Sequence, residues 1–397
     1  MTTEILLIRS IPLERDARST KMVAEYRRRD MHVTSLVWSR GDQPSGAPDT
    51  VTCTARGGYA RGLFGMGARL AFLWFIIVHM SRHRDKFDVV HVVDLDTAIV
   101  AVPVARILGK AVIYDAFDHV SAMAGQGWIG RFLASVERSL IGRAAIAIFP
   151  DPIRLEQYGL APSEKIKIIG NIPDLAALPD GSTAQTSAPL IMAYIGTLEA
   201  RHRGLEYLPA VCSALGADIK VVIGGIGELH NYFEDASSRL PNLSYIGQQD
   251  YDSALRQMAD ADCLYGPYLL TTPAHRFASP NKMYEHLALG KPLITNTGTP
   301  PAQLVEKAGS GFLFDGSIDD LLRLLRAVDR KECVRVGRQA KMGWTREFAG
   351  LREQQLESFF TKMDEVLWPT CSASEEGAVV TSPEESSCAA TRPAERP

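Results

Sequence analysis

The segment SPNKMYEHLALGKPLI, Ser279 to Ile294, contains a helix followed directly by a strand. Ser279 is suited to cap this helix and Pro280 to its first turn, whereas Gly290 and the proline two residues later end it. The Leu-Ile pair after that proline begins a strand. A helix that leads straight into a strand is the repeating unit of an α/β fold.

The same alternation runs along the whole chain. Short apolar runs predict strands, and amphipathic stretches between most of them predict helices. Such alternation is typical of parallel sheets with helices on both faces. The predicted strands are Ile5–Ile8, Val33–Val37, Val89–Val93, Ala111–Tyr114, Ala145–Phe149, Ile166–Ile169, Ile191–Ile195, Ile219–Ile223, Leu243–Ile246, Leu264–Tyr265 and Leu293–Thr295.

A chain of 397 residues is long enough for two domains. The segment 173–189, PDLAALPDGSTAQTSAP, has the composition of a linker between domains at 1–172 and 190–344. We therefore predict two doubly wound, Rossmann-like domains that face a cleft, with ligands at the carboxyl ends of the strands. A helical stretch follows at 345–368. The tail, 369–397, is rich in Ser, Glu, Pro and Ala and is predicted to be disordered.

The composition, with 46% apolar and 22% charged residues, is that of a soluble globular protein. A net charge of −3 gives no reason to expect nucleic acid as a partner. Six scattered cysteines without a C-x-x-C pair favour neither a zinc site nor a disulfide scaffold, and they fit a reducing cytoplasm. The amino terminus does not have the pattern of a signal peptide.

One apolar run has two interpretations. Residues 70–78, LAFLWFIIV, are too few to cross a bilayer, which takes about 20 residues. The run predicts either a helix buried in the protein or a helix in the membrane interface, anchored by flanking arginines. Residues 1–150 carry 19 Lys and Arg against 14 Asp and Glu, an excess of five positive charges that is compatible with an anionic membrane surface.

The helix in the opening segment carries two charged residues near its start. Lys282 lies in the first turn, where the helix dipole favours anions, so its position makes sense if an anion is shared with the free N–H groups. Glu285 follows on the same face. The alternative is an ordinary surface ion pair between the two side chains.

Several stretches occur in an order and spacing that together form a recognisable pattern. They are RSIPLERDARSTKMVAEYRRRDMHVTSLVWSR, DVVHVVDLDTAIVA, AVIYDAFDH, IIGNIPD, AYIGTLEARHRGLEYL, VVIGGIG, NLSYIGQQDYDSALRQMADADCLYGPY and the opening segment. From about Ile5 to Leu367, the chain resembles the retaining glycosyltransferases of the GT-B fold, specifically glycosyltransferase family 4. The resemblance implies sugar transfer from a nucleotide-sugar with retention, and a last helix that crosses back to the first domain.

The resemblance also implies a donor site in the second domain. Arg203, with Arg201 as a nearby substitute, and Lys282 would stabilise the leaving diphosphate. Glu285 would accept hydrogen bonds from the ribose, and Gly225 and Gly227 would let the backbone approach the nucleobase. The remaining donor-binding candidates are Thr197 and Asn281. A plain solvated arginine is the alternative for Arg203.

Two departures from the family pattern concern the reacting sugar. Relatives often read Tyr-Asp-Ala-His-Glu where this chain has YDAFDH, residues 114–119. Phe117 replaces the histidine, so Asp118 and then His119 become the catalytic candidates, unless Asp118 merely caps a turn. The first glutamate of the usual motif is also absent, since Phe277 stands eight residues before Glu285.

Candidates on the acceptor side lie in the first domain. Asp16 and Arg18 resemble a D-x-R pattern of the family, although Arg18 could equally be a helix-surface residue. Asp94 follows a strand and is assigned to the same side. Its sequence, Asp94-Leu95-Asp96, is also that of a metal-binding D-x-D, but its place at the start of a helix favours a structural role, and we predict no metal or other cofactor.

The sequence thus predicts a cytoplasmic enzyme. If residues 70–78 form a helix in the membrane interface, the enzyme would be attached peripherally to the inner face of the plasma membrane. It would transfer a sugar from a UDP- or GDP-sugar to a lipid-linked or saccharide acceptor in polysaccharide or glycolipid synthesis. Two alternatives remain: a GT-B sugar-nucleotide epimerase and a non-catalytic binding module.

Overall fold

A computed structural model describes residues 2–40, 46–57, 63–117, 127–173 and 189–368. The first half forms a seven-stranded parallel sheet in the order β3-β2-β1-β4-β5-β6-β7. Its strands are β1 (Glu4–Arg9), β2 (His32–Trp38), β3 (Thr50–Cys53), β4 (Val89–Val93), β5 (Ala111–Asp115), β6 (Ile146–Phe149) and β7 (Ile166–Ile168).

The second half forms a six-stranded parallel sheet in the order β10-β9-β8-β11-β12-β13. Its strands are β8 (Leu190–Ile195), β9 (Ile219–Gly224), β10 (Leu243–Tyr245), β11 (Cys263–Tyr265), β12 (Leu293–Asn296) and β13 (Gly311–Phe314).

Helices connect most of these strands. They are α1 (Ala17–Arg28), α2 (Leu63–Arg82), α3 (Asp94–Ile107), α4 (Trp128–Arg143), α5 (Ile153–Tyr158), α6 (Leu208–Leu215), α7 (His230–Arg239), α8 (Tyr251–Asp260), α9 (Lys282–Leu289), α10 (Pro300–Ala308), α11 (Ile318–Ala327), α12 (Arg330–Gly343) and α13 (Leu351–Leu367). The inner strands of both sheets are buried on both faces, which explains why they are almost continuously apolar.

Helices α2, α3 and α4 cover one face of the first sheet, and α1 and α13 cover the other. Phe359 and Phe360 of α13 pack against Tyr26 of α1, with the ring centroids 6.2 and 5.8 Å from the tyrosine ring. The last helix therefore lies on the first domain, although it follows the second in the sequence.

The apolar run at residues 70–78 lies within α2 and is buried on one side only. Phe72 and Ile76 are in the core, whereas Leu70 and Trp74 are 60% and 66% exposed. Within the described residues, no helix is long and apolar enough to span a membrane.

Three features depart from the expected elements. The short strands β3 and β13 were not predicted from the sequence. Ser279 does not cap α9, because the helix begins at Lys282 with Asn281 at the cap position. The carbonyl group of Ser279 instead accepts a hydrogen bond from Asn171 of the first domain.

The tail and most of the linker, 174–188, lie outside the described residues.

Candidate functional site

The carboxyl end of β8 is the centre of the candidate donor site. The strand ends at Ile195 and is followed by Gly196. A Cβ atom at Gly196 would lie 3.1 Å from Nζ of Lys282 and 3.4 Å from the hydroxyl oxygen of Tyr194. The absence of a side chain at this turn therefore lets the lysine of α9 reach the end of β8.

Lys282 is the first residue of α9 and is turned inward. Its ammonium group donates a hydrogen bond to the carbonyl oxygen of Ile195 and lies 4.5 Å from the ring centroid of Tyr194. Burial lowers the pKa of Lys282 to about 8. The Glu285 carboxylate opposes this shift but does not cancel it, so a further anion at the positive end of the helix would stabilise the cation.

Arg203 contributes a second cation to the same place. Its Nε donates to Glu199 at 3.0 Å, and its guanidinium carbon lies 4.0 Å from the ring centroid of Tyr268. The electrostatic effect of Arg203 reaches both Tyr194 and Lys282. Lys282 thus lies against Tyr194 at the end of β8, and Arg203, from a distant part of the chain, acts electrostatically on the same tyrosine.

Glu285 lies one turn into α9 and is only 4% exposed. Burial raises the pKa of its carboxyl group, while Lys282 and Lys21 and a hydrogen bond from Tyr251 act in the opposite direction. The interpretation of Lys282 and Glu285 as a surface ion pair is therefore wrong, because neither side chain lies on the open surface.

Lys21 of α1 connects this carboxylate to the first domain. Its Nζ lies 3.2 Å from the Tyr251 hydroxyl and 4.3 Å from the centroid of that ring. Because Tyr251 is hydrogen-bonded to Glu285, the three side chains form a chain across the two domains.

Gly225 and Gly227 follow β9 with φ values of 132° and 157°. A Cβ at Gly225 would lie 1.8 Å from the carbonyl oxygen of Gly196, and one at Gly227 would lie 2.5 Å from that of Leu198. The protein's own backbone thus already requires glycine at both positions. The expected approach of a nucleobase is not needed to explain them.

The other donor-side candidates surround this turn. Thr197 is exposed, and its carbonyl oxygen accepts a hydrogen bond from Tyr194 at 2.6 Å. Asn281 borders a cavity of about 40 Å³ between the domains, together with Arg18 and Lys21. Arg201 is exposed and has a φ of 71°.

The acceptor-side candidates belong to a buried ionic network at the carboxyl edge of the first sheet. Arg9, the last residue of β1, pairs with Asp16 and Asp94 at 2.6 Å each. Asp16 also caps α1 by accepting from the backbone N–H groups of Arg18 and Ser19. Asp16 and Asp94 therefore hold this edge together.

Arg18 is buried and is not a helix-surface residue. It pairs with both carboxylate oxygens of Asp115, at 3.0 and 3.2 Å. Burial alone would raise the pKa of Asp115, but Arg18 and His91 hold it at about 2. Arg18 also donates to Asn171 at 3.1 Å, and Asn171 donates to the carbonyl oxygen of Ser279 at 2.8 Å, so the network continues to the start of α9.

Phe117 packs against two arginines of this network. Its ring centroid lies 5.1 Å from the guanidinium carbons of both Arg9 and Arg18. Its backbone N–H donates to Asp94 at 2.8 Å. The catalytic candidates that follow it, Asp118 and His119, lie outside the described residues.

Asp94 is engaged by Arg9 and Phe117 and has a left-handed φ of 62°. Such a backbone conformation is strained for a residue other than glycine, and the contacts with Arg9 and Phe117 hold Asp94 in it. Among the described residues there is no cluster of His, Cys, Asp and Glu that could hold a metal ion.

Known structures match the chain over most of its length. HepE from Anabaena, in complex with UDP and glucose, has a TM-score of 0.66 and 16% identity over 90% of this chain and 100% of its own. Sucrose-phosphate synthase from Thermosynechococcus elongatus has a TM-score of 0.70 and 12% identity over 92% of this chain and 100% of its own. The chain has the GT-B fold.

An enzyme of another class is also similar to this GT-B chain. A UDP-N-acetylglucosamine 2-epimerase has a TM-score of 0.59 and 13% identity, over 96% of this chain and 100% of its own. No protein-family model and no curated protein sequence matches the chain.

Several residues of the site were missed from the sequence. Arg9 had a visible signal, since it is the charged residue that ends an apolar strand. Lys21 is one turn beyond Arg18 on α1, which was also visible. Tyr194 and Tyr268 gave no signal, because a tyrosine within or just after a strand is ordinary core sequence.

Proposed function

We propose that this protein is a glycosyltransferase that moves a sugar from a nucleotide-sugar to a saccharide or lipid-linked acceptor, with the anomeric configuration retained. The proposal is carried by one observation: Lys282 lies against Tyr194 at the carboxyl end of β8, and Arg203 acts electrostatically on both residues. Ligands of doubly wound sheets bind at this edge. A diphosphate matches two cations and a helix start in both charge and geometry.

The proposed reaction breaks the bond between the anomeric carbon and the diphosphate oxygen. Negative charge grows on the leaving oxygen, and Arg203 and Lys282 are placed to stabilise it. Glu285 offers acceptor oxygens to the two ribose hydroxyls. The acceptor hydroxyl would attack from the face that the diphosphate leaves and would give its proton to the departing phosphate oxygen, with Asp118 or His119 in contact with the reacting sugar or acceptor.

Similar structures support the choice of donor. Crystal structures of HepE show it in complex with UDP and glucose and in complex with UDP-glucose. We propose a UDP-sugar as the first donor to test and a GDP-sugar as the second. We also propose that the enzyme acts in the cytoplasm, at or near the membrane, in the synthesis of a surface polysaccharide or glycolipid.

An epimerase is the second candidate, because an epimerase is among the similar structures. Incubation with UDP- and GDP-sugars, with analysis of both nucleotide and sugar, separates the candidates. A transferase releases nucleoside diphosphate and joins the sugar to an added acceptor or, slowly, to water. An epimerase releases nucleotide and an altered free sugar without any acceptor. Binding of nucleotide-sugar without release would favour a non-catalytic binding module.

A further inference from the structure

Two helices of the first domain expose large apolar side chains to solvent. Leu70 and Trp74 of α2 are 60% and 66% exposed, and Trp128 and Phe132 of α4 are 73% and 61% exposed. Isolated apolar residues on a surface are ordinary, whereas a group of them marks an interaction site. We call this group, together with Met66 and Ile129, the apolar patch.

The patch residues follow the helical period. Met66, Leu70 and Trp74 are four residues apart, so they form one stripe along the outer side of α2. The buried stripe of the same helix is formed by other residues, which include Phe72 and Ile76. The core of the first domain is therefore complete without the patch.

The fold brings the two parts of the patch to the same edge of the sheet. Strand β3 ends at this carboxyl edge, and α2 runs back from it toward the amino end of β4. Strand β5 ends there too, and α4 runs back toward the amino end of β6. Helix α3 packs between α2 and α4 and adds Ile99, which is 39% exposed. The patch thus lies beside the cleft.

The exposed charges on helices α2 and α4 have one sign. Residues 63–84 contain no Asp or Glu and include Arg69, Arg82 and Arg84. Residues 127–143 contain one acidic residue, Glu137, which is fully buried and accepts a hydrogen bond from Tyr114 at 3.0 Å. Their basic residues are Arg131, Arg138 and Arg143. Asp85, just after α2, and Asp96 of α3 carry exposed carboxylates, and they lie 3.8 Å from Arg84 and Arg40 respectively. Apolar stripes on two helices whose own exposed charges are arginines complement an anionic lipid surface.

We propose that the apolar patch docks the protein on an anionic lipid membrane. The indoles of Trp74 and Trp128 would lie at the headgroup level, and the arginines would contact lipid phosphates. Docking at this edge would bring the cleft to the membrane surface. The consequence that the acceptor is lipid-linked rests on the proposed transferase function, but the docking itself does not.

Sedimentation with vesicles tests the docking without any nucleotide-sugar. The wild-type protein should bind vesicles that contain phosphatidylglycerol, bind pure phosphatidylcholine weakly, and lose binding as salt rises. The double variants Leu70→Ser/Trp74→Ser and Trp128→Ser/Phe132→Ser should each reduce binding at least tenfold. Trp368→Ser is the matched control, since Trp368 is 60% exposed outside the patch, and its binding should be unchanged.

Tryptophan fluorescence gives an independent readout. Trp38 and Trp344 are buried, so a blue shift on vesicle binding should come from the exposed tryptophans. Brominated lipids should quench the wild type and should quench Trp74→Phe/Trp128→Phe much less. The absence of vesicle binding, or equal binding by the patch variants, would overturn the proposal. A wild-type dimer that the patch variants convert to monomer would overturn it in favour of self-association.

Discussion

The ammonium group of Lys282 lies 4.5 Å from the ring centroid of Tyr194 and donates a hydrogen bond to the carbonyl oxygen of Ile195. The residue that begins α9 is thereby held against the end of β8. It contacts a ring face and a neutral carbonyl, and the carboxylate of Glu285 acts on it electrostatically, but together these only partly offset its burial, since its pKa stays lowered. A diphosphate would compensate it better, and the proposed function depends on this difference.

The ion pair between Arg203 and Glu199 should compete with a bound diphosphate. Arg203→Gln should weaken UDP binding by about 10- to 100-fold, since a hydrogen bond to a charged group is worth roughly 1.5–3 kcal/mol. Glu199→Gln should tighten binding, because it releases the guanidinium group from its partner at 3.0 Å. Calorimetric titration measures both. Glu332→Gln, which breaks the exposed pair with Arg335, is the control, and weaker binding by Glu199→Gln would contradict the account.

Glu285→Gln should raise the KM for the donor and leave kcat nearly unchanged. A ribose contact is made equally in the ground state and the transition state, so its loss weakens binding without slowing the chemical step. Steady-state kinetics at varied donor concentration measure the two constants. Tyr251→Phe removes the hydroxyl that is hydrogen-bonded to Glu285 and should have a smaller effect in the same direction. A large fall in kcat with an unchanged KM would assign Glu285 another role.

Arg9→Met should destabilise the protein by about 3–5 kcal/mol, because it leaves two buried carboxylates, Asp16 and Asp94, without their cation. Denaturant unfolding measures the free energy of unfolding. Arg27→Met is the matched control, since its pair with Asp49 is 42% and 47% exposed and should contribute less than about 1 kcal/mol. If Arg9→Met lowered the free energy of unfolding no more than Arg27→Met does, the buried network would not hold the first domain together.

Turnover should not require a divalent metal ion. Arg203 and Lys282 are proposed to supply the positive charge that a metal would otherwise provide. Activity after dialysis against EDTA should stay within about twofold of the untreated enzyme, and added Mg²⁺ or Mn²⁺ should change it little. Complete loss that either ion restores would contradict the prediction and direct attention to Asp94 and Asp96.

The alternation of apolar runs and amphipathic helices predicted the two parallel sheets, because a strand buried on both faces is apolar throughout its length. β3 and β13 escaped prediction for a physical reason. β3 (TVTC) carries two threonines, and β13 (GFLF) begins with a glycine, so neither has the long apolar run of the inner strands.

Residues of the candidate site were predictable only where a charged side chain interrupts the apolar pattern of a strand or occupies an unfavourable position in a helix. Lys282 and Arg203 are conspicuous because a cation is unexpected at a helix start or directly after a strand turn. The roles of Asp16 and Arg18 were not predictable. Arg18 pairs with Asp115, and Arg9, which pairs with Asp16 seven residues away, also pairs with Asp94. Asp94 and Asp115 are remote in sequence and are brought to the same edge of the first sheet only by the strand order. The contacts of Gly225 and Gly227 with the β8 turn likewise depend on neighbouring strands.

The affinity of UDP between pH 7 and 9, for the wild type and for Lys282→Met, tests the central claim most directly, with GDP as the second probe. The pKa of Lys282 is about 8 in the free protein, so the lysine is protonated below pH 8 and loses its charge above it. Wild-type affinity should therefore be highest near pH 7 and fall above pH 8. Lys282→Met should bind about 10- to 100-fold more weakly at pH 7 and show little pH dependence.

Lys341→Met is the matched control, because Lys341 also donates to a backbone carbonyl, that of Ala288 at the other end of α9. It should keep the affinity and the pH dependence of the wild type. The melting temperature of Lys282→Met without ligand should change little, since the substitution removes a cation that burial disfavours but also removes a charge that stabilises the buried carboxylate of Glu285. Equal UDP affinity in the wild type and Lys282→Met at pH 7, or no binding of UDP or GDP by the wild type, would contradict a diphosphate site at the end of β8.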